Sequence, residues 1–351
     1  MEFMRKFAVI LVAFLVICLS PKSAAAEAFT APEVPEEAAR WMPQDTGDFG
    51  TGLLEMLQKL LPNLRSDFLT AVKTGVCVYA CVLLISILKG AGEGHSPAEL
   101  AGAVCISFAV IRTSQSMISL ASETVIRISE YTKLFLPVIT AASAAQGGVT
   151  SATTLYVGTT AFTSFTSNVI TRVLLPSVYF FLAAAIANCV LGDGIMKQLK
   201  EMIKKFSAWF LKTVITVFMT YMSITGAVSG TADKAALKVT KAAISTAVPV
   251  IGSSLAEASD ALLISIGIAK NAVGIYGIFA LLAVFLSPFL RIGMHYLVLK
   301  AASALCMFPD SKRLTELVGD FSSAMGLLLG ITGCICVLSL IGAVCFMKGM
   351  T

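Results

Sequence analysis

The chain has 351 residues, of which 57% are hydrophobic and 13% are Asp, Glu, Lys or Arg, about half the charged share of a soluble domain. A water-soluble fold cannot cover that much apolar surface with so few charges, so the composition excludes the soluble classes and specifies an integral membrane protein. The net charge of +5 fits Lys and Arg gathered on a cytoplasmic side and gives no reason to expect nucleic-acid binding.

Motifs exclude further classes. The phosphate loop GxxxxGK[ST] and the GxSxG elbow are both missing from the sequence. The two histidines, His95 and His295, cannot build a multi-histidine metal site. The nine cysteines sit in or beside apolar runs and read as small packing residues rather than a disulfide framework. No catalytic, cofactor-binding or metal-binding residue is therefore assigned, and the chain is read as a non-enzyme.

In chain order, residues 1–26 read as a cleavable signal peptide: Arg5 and Lys6, an apolar core from Phe7 to Leu19, then Ala24, Ala25 and Ala26. The competing reading is an uncleaved first membrane helix. Residues 27–70 form an extracytoplasmic segment with eight acidic and three basic residues. Within it Leu53, Leu54, Leu57, Leu60, Leu61 and Leu64 predict a short amphipathic helix on the membrane surface. Residues 71–133 hold the first two spans and a linker.

Apolar segments follow at 71–88, 98–120, 134–148, 150–171, 173–191, 207–229, 242–269, 272–299 and 324–347. Two are unlike plain lipid-facing spans. The stretch 140–171 holds thirteen Ser or Thr residues, with Pro137 at its head and Gly147 and Gly148 in its middle. The stretch 242–269 holds Pro249, Gly252, Glu257 and Asp260. Polar or broken backbone at membrane depth is tolerated where protein or a cavity surrounds it. The two stretches are read as interrupted, re-entrant helical hairpins, with Pro137, Gly147, Gly148, Pro249 and Gly252 as the helix breakers. Lys197, Lys200, Lys204 and Lys205 mark a cytoplasmic loop that lies on the membrane surface or docks a partner. Lys300, Lys312 and Arg313 mark a second one.

The two hairpin regions share a pattern. Pro137-Val138-Ile139 returns as Pro249-Val250-Ile251. The Ala184, Ala185, Ala187, Cys189, Asp193 spacing returns as Ala301, Ala302, Ala304, Cys306, Asp310. Leu199-x-Glu201 with Phe206-Ser207 returns as Leu314-x-Glu316 with Phe321-Ser322. This predicts a parallel internal repeat with halves 134–229 and 230–351. The expected fold class is all-α: a polytopic helical membrane protein with a signal peptide, two interrupted hairpins and that repeat.

Candidate polar positions follow. Thr160, Ser164 and Ser167, with Thr153 and Thr171, make one hydroxyl stripe, read either as a wettable wall or as interhelical hydrogen bonding. Ser253, Glu257 and Asp260 share a helical face, followed by Lys270 and Asn271. They read as a polar site in a pore or, equally, as interfacial residues. Arg112, Arg172 and Arg291 interrupt apolar runs and either snorkel or pair with carboxylates.

Residues 226–278 are more specific. Gly226-Ala-Val-Ser-Gly-Thr-Ala-Asp233-Lys234, Val248-Pro249-Val250-Ile251-Gly252, Ala256-Glu257-Ala258-Ser259-Asp260 and Lys270-Asn271-Ala272-Val273-Gly274-Ile275 resemble the stage III sporulation protein AE family of endospore-forming bacteria. The resemblance implies a multi-pass protein of the mother-cell membrane facing the forespore. It implies a channel or permease-like part in a transport complex needed for sporulation, energised by a separate ATPase. Implied partners, besides the lipid bilayer, are the stage III sporulation A proteins AA (the ATPase) and ring-forming AG and AH, and forespore protein Q. The resemblance brings no catalytic residues and no cofactor. A stand-alone secondary transporter and a structural membrane scaffold are the rival readings.

Overall fold

The computed structural model describes residues 32–43, 49–90, 95–146, 148–192, 194–247, 252–308 and 311–348. At positions 37, 89, 90, 95–99, 226–247, 252–267, 269, 270 and 348 it describes the backbone alone. The expected signal peptide 1–26, Gly147 and Pro249 lie outside the described residues.

Among the described residues every regular element is helical. A short α1 (Glu36–Ala39) precedes the long helices α2 (Phe49–Gly90) and α3 (His95–Ala145). Next come α4 (Val149–Val169), a π-helical turn (Ile170–Leu174) and α5 (Leu175–Leu191), which together make one rod. Then follow α6 (Gly194–Ala247), α7 (Gly252–Leu305) and α8 (Lys312–Lys348). Six helical rods are long and apolar enough to cross a membrane. The 51 residues of α3 extend about 76 Å at ~1.5 Å per residue, more than twice a hydrocarbon core of ~30 Å.

The nine apolar segments thus become six rods. Helix α3 absorbs both 98–120 and 134–148, and runs unbroken through Pro137. That corrects the expectation that Pro137 breaks the chain. A proline removes one backbone donor, and the packed faces on either side of Pro137, with Phe135, Leu136 and Ile139 buried, hold the helix through the defect. The turn comes later, between Ala145 and Val149, where Gly148 precedes α4 and its N–H donates to the Ser143 carbonyl at 3.3 Å. Gly252 is the first residue of α7.

The gap between the apolar segments 150–171 and 173–191 is a π-helical turn. Pro176, at the start of α5, has no N–H to give the Arg172 carbonyl. The turn before it widens, and the Leu175 N–H donates to the Ile170 carbonyl. Gly192 closes α5 at φ 71°, a left-handed conformation that glycine adopts without strain.

The surface helix expected over 53–64 is the first part of α2. It packs against α7 rather than standing alone. Met56, Leu60 and Leu64 are buried, and the rings of Phe49 and Phe279 stack with centroids 5.3 Å apart. The boundary expected at residue 70 falls inside this helix.

Contact pairs give the directions. Phe49–Phe279, Asp67–Arg291 and Gly75–Val298 show α2 and α7 running parallel. Phe165–Phe210, Phe162–Phe218 and Gly158–Tyr221 show α4 and α6 antiparallel. The Ser86 and Ser311 hydroxyls meet at 2.9 Å, and Gly192 lies beside Arg313. The ends of α2, α5 and α7 and the starts of α6 and α8 therefore share one end of the bundle. Helix α8 packs against α3, α4, α5, α6 and α7, and its Phe321, Leu328, Ile331, Ile335 and Phe346 form the centre of the core.

Candidate functional site

Helices this apolar need a reason to bury charge. Removing an ion from water costs several kcal/mol unless a partner compensates. Among the described residues one place in the bundle buries a paired charge, and a second holds a partly exposed pair.

The first lies between α6 and α8, at the end shared with Gly192 and Ser311. The Lys200 side chain is 4% exposed. Its ammonium donates to Asp320 and, at 3.1 Å, to Glu316 Oε1. Asn188 at the end of α5 also donates to Glu316, at 3.4 Å. A cavity of about 510 Å³ adjoins the carboxylates, lined by Ser303, Thr315, Glu316 and Asp320 among others. Here the structure corrects the sequence reading. Lys197, Lys204 and Lys205 are exposed as expected, but Lys200 is not on a membrane or docking surface. Its two partners lie 116 and 120 residues away, beyond the reach of any helical-face pattern.

The second lies between α2, α3 and α7. Arg291 Nε stands 2.9 Å from Asp67 Oδ2, a charge-to-charge contact across α2 and α7. His295, one turn further on α7, is 6% exposed. Arg112 of α3, Arg291 and His295 line one cavity with Asp67. Of the three interrupting arginines, Arg291 takes the carboxylate pairing, while Arg112 and Arg172 are exposed on the bundle.

The hydroxyl-rich helix α4 behaves differently from the predicted stripe. Thr160, Ser164 and Ser167 are half-buried and Thr153 is exposed. Besides Ser151 in the first turn, the buried hydroxyl residues of α4 are Thr159, Thr163 and Thr166, one position round the helix from the predicted stripe. Sequence reasoning missed these three, although their 4 and 3 spacing was an available signal. Helical threonines usually donate back to the carbonyl four residues earlier, as Thr153, Thr154 and Thr171 do. The hydroxyls of Thr159, Thr160, Thr163 and Thr166 are buried without a hydrogen-bond partner, leaving them available for water or a polar solute.

The second predicted cluster is only partly placed. Ser253, Glu257, Asp260 and Lys270 are on α7, but their side chains lie outside the described residues. Asn271 is exposed. Among the described residues no group of His, Cys, Asp and Glu could hold a metal ion.

Against known proteins, the family profile described as stage III sporulation protein AE matches residues 43–349. The chain belongs to this family. A curated member, stage III sporulation protein AE of Bacillus subtilis (strain 168), is 21% identical over 228 residues. That alignment covers 64% of this chain and 57% of the relative, so the chain spans less than two thirds of that relative's length. No solved structure matches. A sporulation role therefore rests on the family, and multi-pass membrane residence fits its six apolar rods.

Proposed function

We propose that the chain is the channel or permease-like membrane component of a mother cell–forespore transport complex. It would sit in the mother-cell membrane facing the forespore, with energy from a separate ATPase (protein AA), ring-forming AG and AH as neighbours and protein Q from the forespore side. The observation that carries the reading is polar chemistry inside an apolar bundle, within a sporulation family. Ion pairs tie α6 to α8 and α2 to α7, and four hydroxyls of α4 are buried without a partner. A bundle that only anchored would gain more from apolar packing at those positions.

The second hairpin is the proposed conducting element. Glu257 and Asp260 are three apart in the sequence, a spacing that puts two carboxylates on one side of a helix, and Pro249 and Gly252 are residue types that favour a turn. The test is Glu257→Gln with Asp260→Asn in the sporulating cell. Membrane insertion and protein level should be unchanged while forespore development fails. Normal spore yield at normal protein abundance would remove this site.

One observation favours the scaffold reading as second. Helices approach closely through glycines: a Cβ at Gly158 would lie 1.9 Å from the Tyr221 ring, and one at Gly277 would lie 2.1 Å from the Phe135 ring. Such contacts suit a rigid frame. A variant that assembles the complex yet blocks transport decides for the channel. Transport by the purified chain in liposomes would decide for a stand-alone transporter.

A further inference from the structure

Two cavities lie side by side against α3 and α7 and share Leu120 and Arg291 in their walls. One, of about 350 Å³, is lined by Asp67, Thr70, Arg112, Ser116, Arg291 and His295. The other, of about 420 Å³, lies under α1 and is lined by Arg40, Trp41, Glu123, Arg127, Ser287 and Arg291. Four arginines face two carboxylates across the joined space. Arg291 is matched by Asp67 at 2.9 Å, and Arg127 more loosely by Glu123 at 3.8 Å. Arg40 and Arg112 have no carboxylate partner among the described residues.

This excess of guanidinium is out of place in a membrane chain. Arginine is always protonated, so it cannot shed its charge as a buried lysine can. Arg40 and Arg112 are exposed and line these cavities beside apolar walls such as Leu120, Ala283 and Val284, so their guanidinium groups are accessible to an anion from outside. The guanidinium fork matches phosphate oxygens two at a time, and basic pockets between membrane helices accept phosphate headgroups. Each cavity is within the size range of small-ligand sites, ~300–1,000 Å³. Ser116 and Ser287 add hydroxyl donors, and the Trp41 indole beside the cavity under α1 is the ring type that settles at headgroup level.

We propose that the joined cavities between α1, α2, α3 and α7 form a binding site for one phosphate-bearing anion. Arg40 and Arg112 are its unmatched ligands and Arg291, held by Asp67, its positioning residue. The anion is an anionic phospholipid headgroup or inorganic phosphate. The inference is independent of the second hairpin, so failure of either leaves the other standing.

The test uses the full chain in two arms. In the first, protein in nanodiscs containing equal phosphatidylglycerol and phosphatidylcholine is released for native mass spectrometry and retained lipids are counted. In the second, the unfolding temperature in neutral detergent is followed with inorganic phosphate against chloride at equal ionic strength. The variant is Arg40→Gln with Arg112→Gln; Arg172→Gln, exposed on the bundle and outside both cavities, is the control. The site predicts at least fivefold more retained phosphatidylglycerol than phosphatidylcholine, or a rise in unfolding temperature specific to phosphate. Either effect should be lost in the double variant and kept in the control. Selectivity in the lipid arm alone identifies a headgroup, and a phosphate-specific shift identifies the free anion. If the parent protein favours neither anion, the proposal is overturned, whatever the folding of the variant. Equal binding by parent and double variant, both monodisperse with the same helicity, also overturns it.

Discussion

Lys200 carries the sharpest consequence at the scale of single residues. Its ammonium is closed in by α6 and α8 and answered by Asp320 and Glu316. Removing the lysine alone leaves Asp320, only 16% exposed, without its counter-ion. Breaking a buried pair from one side costs about 3–5 kcal/mol. Lys200→Met should therefore lower the unfolding temperature markedly in detergent, and Lys200→Met with Asp320→Leu should recover much of the loss. An unchanged melting curve in the single variant would show that the pair adds nothing. The sequence placed Lys200 among four lysines of a polar face, and three of the four do lie there. The fourth could not be separated, because helical periodicity reports a side's direction and not what another helix brings to it. A second residue-scale consequence concerns Cys306, in the turn after α7. Burial pushes its thiol up to about 11. Only the thiolate attacks, and the raised value keeps the group protonated until pH approaches that figure. In a background lacking the other cysteines, Cys306 should resist maleimide at pH 8. Met307→Cys, at a position 72% exposed, should label readily under the same conditions.

Among elements, α4 and α6 show how closely these rods approach. The Tyr221 hydroxyl donates to the Thr154 carbonyl at 2.9 Å, which holds its ring against Gly158. Even an alanine methyl there would meet Tyr221 Cε1 at 1.9 Å, and the hydrogen bond prevents the ring from giving way cheaply. Gly158→Ala should destabilise by ~1–3 kcal/mol, the usual cost of overpacking. Adding Tyr221→Leu should restore part of it, read as the unfolding temperature of each variant. Gly158 stands in a run of threonines that gives no hint of a large partner, so this contact was not legible. The existence of the helices was legible from hydropathy. Their ends were less so, because Pro137 and Arg172 read as interruptions. Tertiary packing carried the chain through the first, and a widened turn absorbed the second. The same limit applied to α4. Its richness in hydroxyls was plain, but the side facing the core is fixed by Gly342 and its neighbours on α8. A Cβ at Gly342 would touch Thr159 at 2.6 Å.

For the whole molecule, the order of contacts decides which connections share a side. The α5–α6 and α7–α8 connections meet at one end, as Gly192 beside Arg313 and Ser86 beside Ser311 record. The Ala145–Val149 turn belongs to the opposite end, since Ile139 and Met347, near the far limits of α3 and α8, both approach Gly274 of α7. The end with Gly192 carries Lys197, Lys204, Lys205, Lys300, Lys312 and Arg313, all exposed. Cations near the ends of spans are retained in the cytoplasm, so this end should be the inner one. Helices α6 and α8 leave it side by side in the same direction, through Lys200–Glu316 and Leu211–Gly330. Matched positions of the expected repeat differ in burial: Cys189 and Cys306 are both buried, whereas Phe206 is exposed and Phe321 buried. A reporter that is active only in the cytoplasm, fused after Lys205 or after Lys312, should therefore be active at both positions. Fused after Gln146 it should be silent, and a periplasm-type reporter should give the reverse pattern. Opposite readings at Lys205 and Lys312 would contradict the bundle itself, because both positions lie at one end of it. A shared but external reading would leave the bundle intact and invert it in the membrane, moving the Lys200 cluster to the outer face and the arginine-lined cavities toward the cytoplasm.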